Sequence, residues 1–141
     1  MAMLHVDIVS AEESLYSGEG EMVFAPAEQG EVGIAPEHAP LLTRLVPGEV
    51  RVLTPEGMQS FFVSSGILEI QPSVVTILSD VAERAADIDE HAALEAKRRA
   101  EATLAERRKD EVDLVRAQAE LAEALARLHL IQRQRERNQR R

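Results

Sequence analysis

Apolar and polar residues alternate one for one along Leu4-His5-Val6-Asp7-Ile8-Val9, the period-two signature of a half-buried β-strand. Further apolar segments follow at Met22-Val23-Phe24, Glu49-Val50-Arg51-Val52-Leu53, Ser60-Phe61-Phe62-Val63, Ile67-Leu68-Glu69-Ile70 and Val74-Val75-Thr76-Ile77-Leu78. Turn signals separate them: Ser17-Gly18, Ala25-Pro26, Pro47-Gly48, Pro55-Glu56-Gly57, Ser65-Gly66 and Gln71-Pro72. Such dense punctuation predicts antiparallel hairpins rather than βαβ units. Roughly eight to ten short strands are expected. Two packed sheets, a β-sandwich, would bury one face of each.

The pattern changes near Ile88. From Asp89 to the end there is no Gly and no Pro, and Ala, Leu, Glu and Arg dominate. Asp89 reads as an N-cap, with Glu90 in the first turn to favour the helix dipole. A helix from there to about Arg107 would be roughly 28 Å long and would carry Ala93, Ala96, Ala100 and Leu104 on one face. Arg107-Arg108-Lys109-Asp110 interrupts the apolar pattern. Asp110 or Asp113 can cap a second helix whose stripe is Leu114, Ala117, Leu121, Leu125, Leu128 and Ile131. Two antiparallel helices, joined near residues 107–112, would pack Ala face to Leu stripe. Each contact buries about one methyl, at roughly 0.8 kcal/mol per carbon. After ordering costs the seam is worth on the order of a few kcal/mol. Two readings therefore stand side by side. One is a static hairpin covering a sheet. The other is an arm that opens, or leaves the head, when another surface competes for its stripe.

At 141 residues the chain has room for one modest domain and an appendage. It has no cysteine, so neither disulfides nor a thiolate metal site holds it together. Met1-Ala2-Met3-Leu4-His5 has neither the basic nor the apolar stretch of a signal peptide. No run approaches the ~18 apolar residues that span a bilayer. The expected location is the cytosol, or the cytosolic surface of a membrane. The net charge of −9 is unevenly spread. Residues 1–88 hold Arg44, Arg51 and Arg84 against 14 carboxylates, whereas residues 89–141 hold 13 Lys and Arg against 11. An acidic head repels phosphate and argues against nucleic acid as a partner. The basic end, with Arg127, Arg133, Arg135, Arg137, Arg140 and Arg141, suits an acidic protein surface. It equally suits its own helix dipole with no partner at all.

Residues 28–40 carry the candidate chemistry. Gly30, Gly33, Pro36 and Pro40 fix an irregular path, and Glu31, Glu37 and His38 lie along it. A hydrolase would use Glu31 or Glu37 with His38 as an acid–base pair. Against that reading, no Ser or Cys nucleophile stands in a strained turn nearby, no Gly-rich phosphate loop is present, and no His pair has metal spacing. His5, His38, His91 and His129 are scattered. His5 reads as a strand-face residue and His129 as lying on the polar side of a helix. A stand-alone adaptor, with a sandwich head and a self-associating tail, is a third reading.

Taken whole, the chain resembles the epsilon subunit of bacterial F-type ATP synthase. The resemblance covers nearly its full length. It is carried by residues 4–12, by the specific segment Gly30-Glu31-Val32-Gly33-Ile34-Ala35-Pro36-Glu37-His38-Ala39-Pro40-Leu41-Leu42-Thr43, by Pro47-Gly48, by residues 65–72 and 75–80, and by Glu95-Ala96-Lys97-Arg98-Arg99-Ala100-Glu101 and Ala119-Glu120-Leu121-Ala122 in the tail. It implies an α+β chain: an antiparallel β-sandwich of ten strands over residues 1–86, then a two-helix hairpin over residues 87–141. It implies a non-catalytic rotor subunit that helps couple proton-driven rotation to ATP synthesis, with no cofactor and no metal. The implied partners are the gamma subunit and the c-subunit ring for the head, and the alpha and beta subunits for the arm. The implied place is the cytoplasmic face of the bacterial inner membrane, held there indirectly through the Fo sector.

By position in the motif, Gln29, Gly30, Glu31 and Val32 resemble the loop facing the c ring. His38, Ala39 and Pro40 resemble part of the gamma-facing surface. In the family the helices can leave the head, extend along gamma and oppose ATP hydrolysis. Arg107, Arg108, Lys109, Arg116 and the terminal arginines are the candidate contacts to an acidic segment of beta. One departure is informative. Some members bind ATP through Ile/Leu-Asp-x-x-Arg-Ala, and here the place reads Ile88-Asp89-Glu90-His91-Ala92-Ala93. Ala92 in place of Arg removes a planar donor for phosphate and purine. Asp89 and Arg99 remain as the candidate nucleotide contacts, and useful ATP binding is not expected.

Overall fold

The computed structural model describes residues 2–106 and 110–140. The chain divides into two compact units, Met1–Ala86 and Asp87–Arg141. Among the described residues the first holds ten strands: β1 (Leu4–Ser10), β2 (Ser14–Gly20), β3 (Met22–Ala27), β4 (Gly30–Ile34), β5 (Leu41–Leu45), β6 (Gly48–Thr54), β7 (Gly57–Val63), β8 (Gly66–Ile70), β9 (Val74–Ser79) and β10 (Ala82–Arg84). A 3₁₀ turn, Ala85–Asp87, follows. The second unit holds α1 (Glu90–Ala105) and α2 (Glu111–Gln139).

The strands follow the order β10-β7-β6-β3-β5-β8-β9-β1-β2, with β4 on the other edge of β3. Strand β3 is the corner. Met22, Val23 and Phe24 pair with β6, while Ala27 pairs with Leu45 of β5. One strand thus belongs to both layers. Pro26 stands at the changeover, where a missing N–H leaves no ladder bond to lose. Its carbonyl accepts from Val46 N at 2.9 Å, and a Cβ on Gly48 would come within 2.8 Å of the Pro26 ring. Pro47-Gly48 therefore marks a close crossing from the end of β5 to the start of β6, with no room for a larger residue.

The alternation puts Leu4, Val6 and Ile8 inward on β1, Leu68 and Ile70 on β8, and Val75 and Ile77 on β9. Val23 and Ala25 of β3, Val50 and Val52 of β6, and Phe61 and Val63 of β7 face them from the other layer, in one apolar cluster. Tyr16 meets Phe61 edge to face with ring centroids 5.7 Å apart, and its hydroxyl donates to Glu19 O. Burial, and secondarily the Glu56 charge, push its phenol above the ordinary tyrosine range. One pairing departs from the hairpin pattern: β1 lies parallel to β9, with Val6 opposite Val75 and Ile8 opposite Ile77. The first strand is inserted between β9 and β2, and turn signals cannot reveal a pairing between strands so far apart in sequence.

The hairpin is also built differently from its expected form. Asp89 caps α1 by accepting from Ala92 N at 3.0 Å, and Asp110 caps α2 by accepting from Asp113 N at 2.9 Å. Helix α1 ends at Ala105, where Glu106 turns extended and its N–H reaches back to Thr103 O. Among the described residues no basic side chain stands in that last turn. Of the expected stripe Ala117 is fully buried, whereas Leu114, Leu121, Leu125, Leu128 and Ile131 are half-buried. The fully buried positions are Ala93 and Ala100 on α1, and Ala117, Ala124 and Leu130 on α2. Two of the buried alanines stand seven apart on each helix, and the leucines of α2 other than Leu130 are half-buried.

Gly66 begins β8 where a Cβ would lie 1.9 Å from Leu78 O and 2.8 Å from Ser79 Cα. Both are backbone atoms of β9 and cannot rotate away. Gly66→Ala is expected to cost about 3 kcal/mol or more, beyond ordinary overpacking. Urea unfolding of the full chain measures it, and an unchanged midpoint would mean that β8 and β9 do not approach as closely as described.

Candidate functional site

Strand β3 turns into β4 through Glu28-Gln29, with Ala27 opposite Gly30. Gly30 has φ +125, a conformation open to glycine and costly to L side chains. A two-residue turn closed by such a glycine is a recurrent hairpin design. Glu28 N donates to Arg44 O at 2.9 Å, tying the turn to β5. Glu31 and Val32 then run along β4. The Glu31 carboxylate does not stand alone: Arg51 Nη2 donates to its Oε1 at 2.8 Å. The Arg51 guanidinium carbon lies 4.5 Å from the centroid of the Phe24 ring. Opposite Phe24 stands Gly33, whose missing Cβ would sit 3.4 Å from the ring and 3.2 Å from Met22 Cε. Arg51 Nε is buried with no hydrogen-bond partner among the described residues. An unmet buried donor costs about 1–3 kcal/mol, and a partly desolvated cation–π contact returns roughly 0.5–2 kcal/mol. The two nearly cancel, so the arrangement is worth little as stabilisation.

Ala35-Pro36-Glu37-His38 forms a turn closed by His38 N to Ala35 O at 3.1 Å. Glu37 sits at its third position with φ +71, which costs a residue with a Cβ about 1–2 kcal/mol. Its N–H bonds Pro72 O at 2.8 Å, fixing the strained turn to the β8–β9 connection. His38 Nδ1 lies 2.7 Å from Ala39 O, so Nδ1 carries the proton and donates. The acid–base reading fails on this geometry. Glu31 is engaged by Arg51, and His38 by its neighbour's carbonyl. Among the described residues no group of His, Asp or Glu is placed to hold a metal ion.

Gln29, Gly30, Glu31 and Val32 share a shallow groove with Leu41, Leu42 and Thr43. Pro40 shares a second with Leu41, Leu42, Glu69, Ile70 and Gln71. Leu42, 68% exposed, is the ridge between them. It is also one end of an apolar outer face. Leu42 pairs with Glu69, Arg44 with Ile67, and Ile67 with Leu78, so these side chains share the outer side of β5, β8 and β9. Ile67 is 46% and Leu78 48% exposed. The sequence reading missed this surface. Its signal was present: Leu41-Leu42 and Ile67-Leu68-Glu69-Ile70 carry apolar residues at both parities, which a strand with one wet face does not need.

In the second unit Asp89 is occupied as a cap. Arg99 is exposed ten residues further along α1, about 15 Å of rise away, so the two do not converge on one ligand. Arg116 shares a groove with Asp113, Glu120, Thr103 and Ala117. Arg107, Arg108, Lys109 and Arg141 lie outside the described residues. The open end of the hairpin carries an ion pair absent from the sequence reading, with both guanidinium nitrogens of Arg135 on the two carboxylate oxygens of Glu90.

Both units are similar to known proteins. Residues 3–85 match the family model for the ATP synthase delta/epsilon chain, β-sandwich domain, and residues 86–132 match the model for its long α-helix domain. The chain is 64% identical over 135 residues to the ATP synthase epsilon chain of Nitrosococcus oceani, covering 94% of this chain and 96% of that one. It is 61% identical over 143 residues to the ATP synthase epsilon chain of Halorhodospira halophila, covering 99% and 100%. In fold it is similar to a chain of the Euglena gracilis mitochondrial ATP synthase, with TM-score 0.79, 19% identity, and coverage of 89% of this chain and 79% of that one. With both units matched and the identity sustained end to end, the chain belongs to the ATP synthase delta/epsilon chain family.

Proposed function

We propose that the head docks this chain onto the gamma subunit and the c-subunit ring, and that the hairpin is a regulatory arm. The chain is a non-catalytic rotor subunit of ATP synthase, as the epsilon chains it matches are named. It has no helix, among the described residues, long and apolar enough to cross a membrane. Its proposed place is peripheral, on the cytoplasmic face of the inner membrane.

The observation that carries the docking reading is the exposed apolar face of Leu42, Ile67 and Leu78, with Arg44 among them. Large apolar side chains gain about 1.5–3 kcal/mol each on burial, so covering three is a sizeable share of a stable interface. His38, Ala39 and Pro40 lead directly into that face and are proposed as its gamma-facing rim. Gln29, Gly30, Glu31 and Val32, on the far side of the Leu42 ridge, are proposed as the c-ring contact. An anchored hairpin turn suits a contact that carries torque, because little chain entropy remains to be lost there. Ile67→Glu leaves the core untouched and is expected to weaken binding to a gamma-containing F1 complex by about tenfold or more, roughly 1.4 kcal/mol. Surface plasmon resonance would reveal it, and wild-type affinity would remove the apolar face from the interface.

The arm is proposed to leave its folded hairpin and present Arg116, Arg107, Arg108, Lys109 and the terminal arginines to acidic beta surface. ATP hydrolysis by F1 depleted of this subunit provides the test, titrated with the full chain and with residues 1–88, which contain the whole apolar cluster of the head. Inhibition by the full chain alone, with both species bound, is the expected result. Equal inhibition by both would put the inhibitory contact in the head, and binding by neither would end the docking reading. Because Asp89 is committed as a cap and Ala92 replaces the motif arginine, ATP is expected to bind no more tightly than about 1 mM. Calorimetry giving a micromolar constant would overturn that.

A further inference from the structure

We propose that Arg51 is the positioning residue of the Gln29–Val32 contact: it holds Glu31 by one carboxylate oxygen and leaves the other presented to a neutral N–H donor of the partner. The inference rests on the reading of that loop as the c-ring contact and deepens it.

Arg51 stands on β6 and Glu31 on β4, with β3 between them. Its side chain crosses β3 over the Phe24 ring, at 4.5 Å, and Nη2 reaches Oε1 at 2.8 Å. The route needs a flat guanidinium and a flat floor, and Gly33, opposite Phe24, puts no side chain beside that floor. A lysine could supply the charge but not the stacking plane or the fork. The burial is graded along the pair: the Arg51 side chain is 24% exposed and that of Glu31 50%. The cation is thus held inside the surface and the carboxylate at its edge. Among the described residues Oε2 of Glu31 accepts no hydrogen bond. Arg51 Nε is left buried and unpartnered. A guanidinium placed for stability would satisfy that donor; this one is placed where Phe24 and Glu31 require.

Charge sets the partner's chemistry. Arg51 is one of three arginines in a head that carries 14 carboxylates. Spending it on Glu31 nearly neutralises that carboxylate while leaving it a good acceptor. An unpaired Glu31 would draw a lysine or arginine. A compensated one accepts a backbone or side-chain amide N–H equally well, and through a bond that salt screens little. The fitting partner is an uncharged polar loop.

The test is the affinity of the full chain, bound to gamma, for purified c ring in detergent, measured at low and high salt. Arg51→Met is expected to weaken it about tenfold when Glu31 is present and less than about twofold in a Glu31→Gln background, the coupling of a residue that acts through another. Arg51→Lys is not expected to restore it. Wild-type affinity should change little with salt, and Arg51→Met should become salt-sensitive. Equal losses in both backgrounds, or rescue by lysine, would overturn the proposal. If Glu31→Ala, which removes the acceptor altogether, leaves c-ring affinity unchanged, the reading of residues 29–32 as the c-ring contact fails and the presentation of Oε2 falls with it. The Arg51 clamp is then decided separately by nitrogen NMR of the free chain. Slowed guanidinium rotation that Glu31→Gln abolishes upholds the clamp, and free rotation in the wild type removes it.

Discussion

Strand β3 has two edges and three neighbours, β4, β5 and β6, and the head depends on how they share it. One edge is occupied along its length by β4. The other is divided between β6 and the last residue of β5, with Pro26 at the division. That division lets one hydrogen-bonded path fold into two layers without a break in the ladder. It also gathers the candidate surface. Glu31 comes from β4, Arg51 from β6, Leu42 and Thr43 from β5, and Phe24 from β3 itself. Four strands contribute to it, and β3 brings them together. Gly48 and Gly33 are the two places where a neighbour must pass close to β3 or to a side chain it carries. The corner therefore serves the core on its inner side and the loop geometry on its outer side.

The two units differ sharply in what holds them together. The head buries an apolar cluster drawn from nine of its strands, including Phe61, Leu68, Ile70 and Ile77. The hairpin buries four alanines and one leucine, and each alanine methyl is worth roughly 0.8 kcal/mol. The Glu90–Arg135 pair adds little. Its side chains are 39% and 54% exposed, and exposed pairs contribute about 1 kcal/mol at most. Helix caps at Asp89 and Asp110 stabilise each helix whether or not the two are packed. The caps therefore act within each helix, while the pairing rests on the buried alanines, Leu130 and the half-buried leucines along the seam.

The strands were legible because period-two alternation is local: β1 reads directly from Leu4, Val6 and Ile8. The caps were legible for the same reason, since Asp89 and Asp110 act within three residues of themselves. What escaped was long-range. The parallel β1–β9 pair links residue 5 to residue 74. The Arg51–Glu31 bond depends on register across three strands. The hairpin seam is legible in part: Ala93, Ala100 and Ala117 lie on the expected faces and are buried, whereas Ala124 and Leu130 lie outside the expected stripe. Apolar spacing alone does not weigh side-chain size, which limits how closely two helices approach. The outer apolar face lay in plain sight at Leu42 and Ile67. It went unassigned because a single sequence does not say which face of a strand is wet.

An acidic head and an apolar docking face impose different demands, and the three arginines reconcile them. Arg84 donates to Leu15 O and serves the fold. Arg51 serves the Glu31 loop. Arg44 alone stands on the outer apolar face, paired across the ladder with Ile67. A surrounding negative field steers a basic partner at long range but contributes little once the surfaces meet. At contact the desolvated interactions decide, and there Leu42, Ile67 and Leu78 supply area while Arg44 demands an acceptor. A partner that offered only positive charge would meet Arg44 unfavourably at the β5 side of the face, whereas a carboxylate or carbonyl placed there would meet it well.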